Sequence, residues 1–106
     1  MNNTADKLNS LRNELIELLG NDRVYCQPPA NFKLTYPCII FKRNSADTKF
    51  ANNMPYNFDE TFEVTIIDAN PYSDLVRKMA FKFKHCRYSR HFTSDNLNHD
   101  VFIINY

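Results

Sequence analysis

The residues with the richest chemistry lie in the last third of the chain. His85, Cys86, His91, Asp95 and His99 follow one another closely, and imidazole and thiolate are zinc ligands. A structural zinc site draws on a Cys-x2-Cys pair or a compact histidine pair, and neither spacing occurs here. Cys86 stands in a stretch of strand character and reads as a small buried hydrophobe. Ser94, with His91 or His99 and with Asp95 or Asp100, supplies on paper a nucleophile, a base and an orienting group. Any polar stretch rich in Asn, Ser and His offers that set, and no glycine elbow accompanies Ser94. The one glycine of the chain, Gly20, is far away, which also argues against a phosphate-cradling loop. The carboxylate pairs Asp59/Glu60 and Glu63/Asp68 fall on a strand pattern and read as a solvated face. The sequence therefore predicts no catalytic residue, no metal and no cofactor.

A second pattern is electrostatic. Arg77, Lys78, Lys82, Lys84, Arg87 and Arg90 occur with no acid between Asp74 and Asp95. Phe81, Phe83, Tyr88 and Phe92 interleave with them. Cations among aromatics can hold a phosphate backbone and stack bases. The plainer reading is a helix end, where cations complement the C-terminal dipole and the aromatics belong to the core. A third reading sets Lys82, Lys84, Arg87 and Arg90 against acids of a neighbouring copy. Glu14, Glu17, Asp59, Glu60 and Glu63 supply such acids.

Two polar stretches interrupt the apolar runs. Between Arg90 and Phe102 the residues Asp95, Asn96, Leu97, Asn98, His99 and Asp100 read as an ordered, irregular structural loop of about ten residues, longer than a plain hairpin needs. Between Asn44 and Asn57, Phe50, Met54 and Tyr56 appear without periodicity on a polar excursion. Apolar groups with no evident place in a small core mark a contact surface or a loop folded back on its own sheet.

These groups must be positioned by a chain of 106 residues, enough for one domain spanning 1–106. It is 43% hydrophobic with a net charge of +1, so no polyanionic partner follows from global charge. Three widely spaced cysteines, Cys26, Cys38 and Cys86, read as buried thiols of a reducing compartment. No apolar run approaches the ~20 residues of a membrane span, and the polar N-terminus shows no secretory signal.

Leu8, Leu11, Leu15, Leu18 and Leu19 recur at helical spacing, so a helix is expected from Thr4, as its cap, to about Leu19, with Gly20 as its stop. Val24–Cys26 reads as a short strand and Pro37–Lys42 as a buried one. Phe58–Asp68 is an alternating strand, with Phe58, Phe62, Val64 and Ile66 on the buried face. Asn70 and Pro71 are expected to cap and open a second helix whose stripe is Leu75, Val76, Met79, Ala80 and Phe83. Cys86–Phe92 and Val101–Tyr106 complete the set. The order α-β-β-β-α-β-β predicts an α+β fold: a single, mainly antiparallel β-sheet with two α-helices packed on it.

The segments Val24-Tyr25-Cys26-Gln27-Pro28-Pro29, Tyr36-Pro37-Cys38-Ile39-Ile40-Phe41, Val64-Thr65-Ile66-Ile67-Asp68 and Arg90 through Phe102, in this order and spacing, resemble the tail terminator (tail completion) family of tailed bacteriophages. The likeness runs from the first helix to Tyr106. It implies a non-enzymatic virion protein, assembled in the host bacterial cytoplasm and placed at the head-proximal end of the tail. There a homohexameric ring caps the tube, halts its polymerisation and receives the neck. The implied partners are further copies of the chain, the tail tube protein and a neck or head-completion protein. DNA would pass through the lumen without specific binding, and no membrane is involved. On this view Phe50, Met54 and Tyr56 pack against a neighbour or the tube, and Lys82–Arg90 faces the next subunit or the lumen. Two alternatives stay open. One is another neck or head-tail joining protein; the other is a small nucleic-acid-binding accessory protein using the basic run 82–90.

Overall fold

The computed structural model describes residues 4–106; within them, the side chains at 4, 5, 47, 49, 50 and 55–59 are outside the description. The first helix, α1, spans Thr4–Leu19. Leu11 and Leu15, one turn apart, are fully buried, and Leu8, Ile16, Leu18 and Leu19 pack beside them. Gly20 ends α1 at φ +86°, its N–H donating to the Ile16 carbonyl at 2.8 Å. The expected capping side chain, Thr4, lies outside the description.

Five strands form one sheet: β1 Val24–Cys26, β2 Cys38–Ala51, β3 Met54–Asp68, β4 Cys86–Ser94 and β5 Leu97–Asn105, in the order β1-β2-β3-β5-β4. Among the described residues β1 and β2 pair in parallel, and the other neighbours are antiparallel. Two arginines fasten β1 in place. Arg12 Nε donates to the Val24 carbonyl at 3.1 Å, and Arg23 Nε donates to the Pro37 carbonyl at 2.9 Å.

Both helices cover one face of the sheet. Ile39, Phe41, Phe62, Val64, Ile66, Phe102 and Ile104 form a core there with Leu11, Leu15 and Met79. The alternation expected for β3 is present from Thr61 on: Phe62, Val64 and Ile66 are buried, while Thr61, Glu63 and Thr65 point to the second face; the Phe58 side chain lies outside the description. That second face is not uniformly wet. Cys38, Ile67 and Val101 are buried on it. Arg90, in register with Val101, reaches past β5 to Glu63 at 3.5 Å, and Lys42 meets the same carboxylate at 3.6 Å.

The structure revises several expected boundaries. The stretch from Arg90 to Phe102 is no long irregular loop. β4 runs on to Ser94, β5 begins at Leu97, and only Asp95 and Asn96 turn between them, at φ 52° and 63°. Two consecutive positive φ angles mark the type I′ hairpin, which suits the strand twist. Leu97, Asn98, His99 and Asp100 are therefore strand residues paired with β3 and β4. The polar excursion from Asn44 is a second hairpin, with Asn52 and Asn53 at φ 53° and 63°. The second helix, α2, spans Asp74–Lys82 and is capped by Ser73, whose hydroxyl accepts from the Leu75 N–H at 3.3 Å. Asn70 and Pro71 precede it in two successive Asx turns. There Asp68 accepts from the Asn70 N–H, and Asn70 from the Tyr72 N–H, both at 3.0 Å.

Candidate interaction surfaces

The pairing of β3 with β5 stops at Thr61, and β1 reaches only as far as Phe41 on β2. Beyond those points, among the described residues, 44–51 and 54–60 pair with each other alone. They form a two-stranded ribbon that runs past the body of the sheet. Its length explains the shape: the molecule measures 51 × 24 × 23 Å, with a radius of gyration of 15.0 Å. A compact chain of this size would have about 13 Å. Ser45 Oγ and Thr61 Oγ1 meet at 2.7 Å at the ribbon root, and Asn44 Nδ2 donates to Thr61 at 3.2 Å. On the helix face of the root, Glu60 is buried and meets Lys7 of α1 at 3.8 Å. Phe50, Met54 and Tyr56 all belong to the ribbon. Met54 follows the turn directly and is 67% exposed; the side chains of Phe50 and Tyr56 are outside the description.

The basic run does not form one surface. Lys82 ends α2 with its Nζ 5.9 Å from the Phe83 ring centroid. Lys84 and Arg87 are exposed and line a hollow of about 440 Å³ at the ribbon root, together with Asn44, Ser45 and Thr61. Arg90 is separated from Arg87 by a register shift between Tyr88 and Arg90; it is held by Glu63 and lies 5.7 Å from the Phe92 ring. The acids expected to await a neighbour are largely engaged within the chain. Glu60 has Lys7, Glu63 has Lys42 and Arg90, and Glu14 accepts from the Tyr106 hydroxyl. That hydroxyl has one proton, so Ser10 Oγ, 2.6 Å away, donates to it in turn.

The histidines are dispersed as well. His91 Nε2 donates to Asn98 Oδ1 at 3.0 Å, and the Asn98 amide donates to the carbonyls of Asp68 and Ala69. His99 sits in the next register position, stacked on Phe92 with centroids 4.5 Å apart; its Nδ1 meets the Leu97 carbonyl at 3.2 Å and must carry the proton. His85 and Cys86 lie at the opposite end of β4 from Asp95. Among the described residues no group of three His, Cys, Asp or Glu side chains is arranged to hold a metal ion. Among them, too, no helix is long and apolar enough to cross a membrane. Burial pushes the Cys38 thiol up to about 11, with Arg23 opposing, so this cysteine is held protonated and inert.

One surface goes beyond the sequence expectations. Phe81 and Tyr88, grouped by sequence with the core, are 81% and 47% exposed, and Tyr72 is 89% exposed. They line a groove of about 570 Å³ between α2 and β4, floored by Val76, Ala80 and Phe102. Phe81 stands two residues after the buried Met79, hence on the other side of the helix, a signal present in the spacing. β4 is the last strand of the sheet, and every residue after Cys86 in it is exposed. A strand edge of this kind leaves a row of backbone donors and acceptors open to another strand. Comparison with protein-family models, with curated proteins and with solved structures returned no match for this chain.

Proposed function

We propose that this chain is a structural, non-catalytic assembly protein. In this reading it is a ring-forming tail terminator of a tailed phage, which caps the tail tube, stops its growth and presents the opposite face to the neck. The observation that carries the reading is the ribbon. Two paired strands with no third neighbour among the described residues are marginal in water, and this pair carries Phe50, Met54 and Tyr56 in its sequence. A protein that spends 17 of its 106 residues, 44–60, in that way is built to contact something else. The open β4 edge and the exposed aromatics beside it supply a second contact surface of different composition. Two unlike surfaces on one chain suit head-to-tail association, which forms a ring where the rotation between copies closes.

The test is tube growth. Purified chain added to polymerising tail tube protein is expected to shorten the tubes and leave a cap on one end, visible by negative-stain electron microscopy. Tubes of unchanged length and bare ends would remove the terminator reading.

One observation favours a nucleic-acid role: Lys84 and Arg87 line the same exposed hollow. Salt-sensitive binding of a labelled DNA fragment would support that role. Absence of binding at low salt would dispose of it.

A further inference from the structure

We infer that the α2–β4 flank is the seat of the β2–β3 ribbon from a second copy of the chain. This deepens the assembly reading and rests on it. Within one molecule the contact is impossible, because β3 and β5 stand between β2 and β4 and the ribbon points past the end of the sheet. Between molecules the two surfaces match in three ways.

The first match is hydrogen bonding and length. From Ser45 and Thr61 to the Asn52–Asn53 turn the ribbon extends about 25 Å, and the nine residues of β4 extend about 30 Å. Laid along β4, the ribbon would satisfy the open backbone edge over most of its length.

The second match is apolar. The groove beside the edge exposes Tyr72, Phe81 and Tyr88, and the ribbon tip exposes Met54. A thioether against aromatic rings is a favourable and adaptable contact.

The third is charge. By sequence the ribbon carries three acids, Asp47, Asp59 and Glu60, against one lysine, Lys49. In the groove Arg77 stands beside Asp74 and Asp100, the latter engaged by the Tyr88 hydroxyl. Lys84 and Arg87 are exposed at the Cys86 end of β4, so cations outnumber acids along the flank. Since ribbon and flank are different patches, each copy offers one to each neighbour, and the contact propagates until rotation closes it.

The test uses the full chain in light scattering over a concentration series, with hydrogen exchange on the same samples. Species heavier than 12.5 kDa are expected, with β4 amides slowed about tenfold or more on assembly. Tyr72→Asp with Phe81→Asp, both at exposed positions, is expected to return the monomer. Arg87→Asp is expected to weaken association about tenfold, and adding Asp59→Arg to restore it. A monomer at every concentration, an unprotected β4 in an oligomer, or a mass unmoved by the aromatic pair would each overturn this seat. The terminator reading is decided separately by the tube lengths, so either can fail alone.

Discussion

The Tyr88 hydroxyl donates to the Asp100 carboxylate at 2.8 Å across the outermost strand pair of the sheet. The same tyrosine packs edge-on to buried Phe102 at 5.2 Å. One side chain thus joins the open β4 edge to the core while its outer part stays in water. Partial desolvation, then the hydrogen bond and charge of Asp100, push its phenol up to about 12 from 10.0. The protonated form is the one the fold favours. The stabilisation is therefore complete below pH 10.0 and is lost as pH rises toward about 12. The stability advantage of the wild type over Tyr88→Phe is expected to be constant through neutral pH and to fade over that alkaline window. Half exposure keeps it small. Urea midpoints of both proteins from pH 7 upward check this; a pH-independent difference would show that the Asp100 bond is not the source.

The two hairpin turns yield a second prediction. Asn96 sits at φ 63°, a conformation that Asn tolerates and β-branched residues do not. Asn96→Val is expected to cost about 1–2 kcal/mol, whereas Asn96→Gly keeps the turn. Thermal unfolding of the pair decides; equal loss in both variants would mean that the Asn96 side chain, rather than its backbone angle, holds the turn.

Those turns also show where the sequence was legible. The Leu stripe of α1, the alternation of Phe62, Val64 and Ile66, and the order of elements follow directly from periodicity and match the structure. The hairpins did not stand out because the usual signal is Asn-Gly or Asp-Gly, and this chain uses Asn-Asn and Asp-Asn instead. Their flanking strands are polar, since the ribbon lacks a third strand and β4 is an edge, so the alternation that reveals half-buried strands was missing. Asn70-Pro71 has the composition of a helix start, and so predicts α2 a few residues too early. Asx turns use the same Asn side chain to delay the helix until Ser73. The aromatic flank was masked by composition: Phe81 and Tyr88 look like core residues until the helix spacing and the strand order place them outside.

The Lys7–Glu60 contact is a third point of test. Glu60 is 5% exposed, and Lys7 meets it at 3.8 Å. Lys7→Met would strand a buried carboxylate and is expected to cost about 1–3 kcal/mol. Adding Glu60→Leu removes the stranded charge and is expected to recover most of that loss. Chemical denaturation of the two variants measures it. If the double variant is no better than the single, Lys7 acts through its packing and not its charge.

The last prediction concerns the ribbon. Phe50 registers with Pro55, and Tyr56 falls at the register shift beside them, far along the arm from the three-stranded part of the sheet. Phe50→Asp with Tyr56→Asp is therefore expected to leave the unfolding midpoint close to wild type, with a change of about 0.5 kcal/mol or less. The same variant is expected to lose tube capping, giving overlong tubes in the polymerisation assay and headless tails in an infected cell. A folded variant that still caps tubes of normal length would remove the ribbon from the functional contact. A variant that unfolds would show that the ribbon is bound into the stability of its own chain, contrary to the isolation of its two strands beyond Thr61.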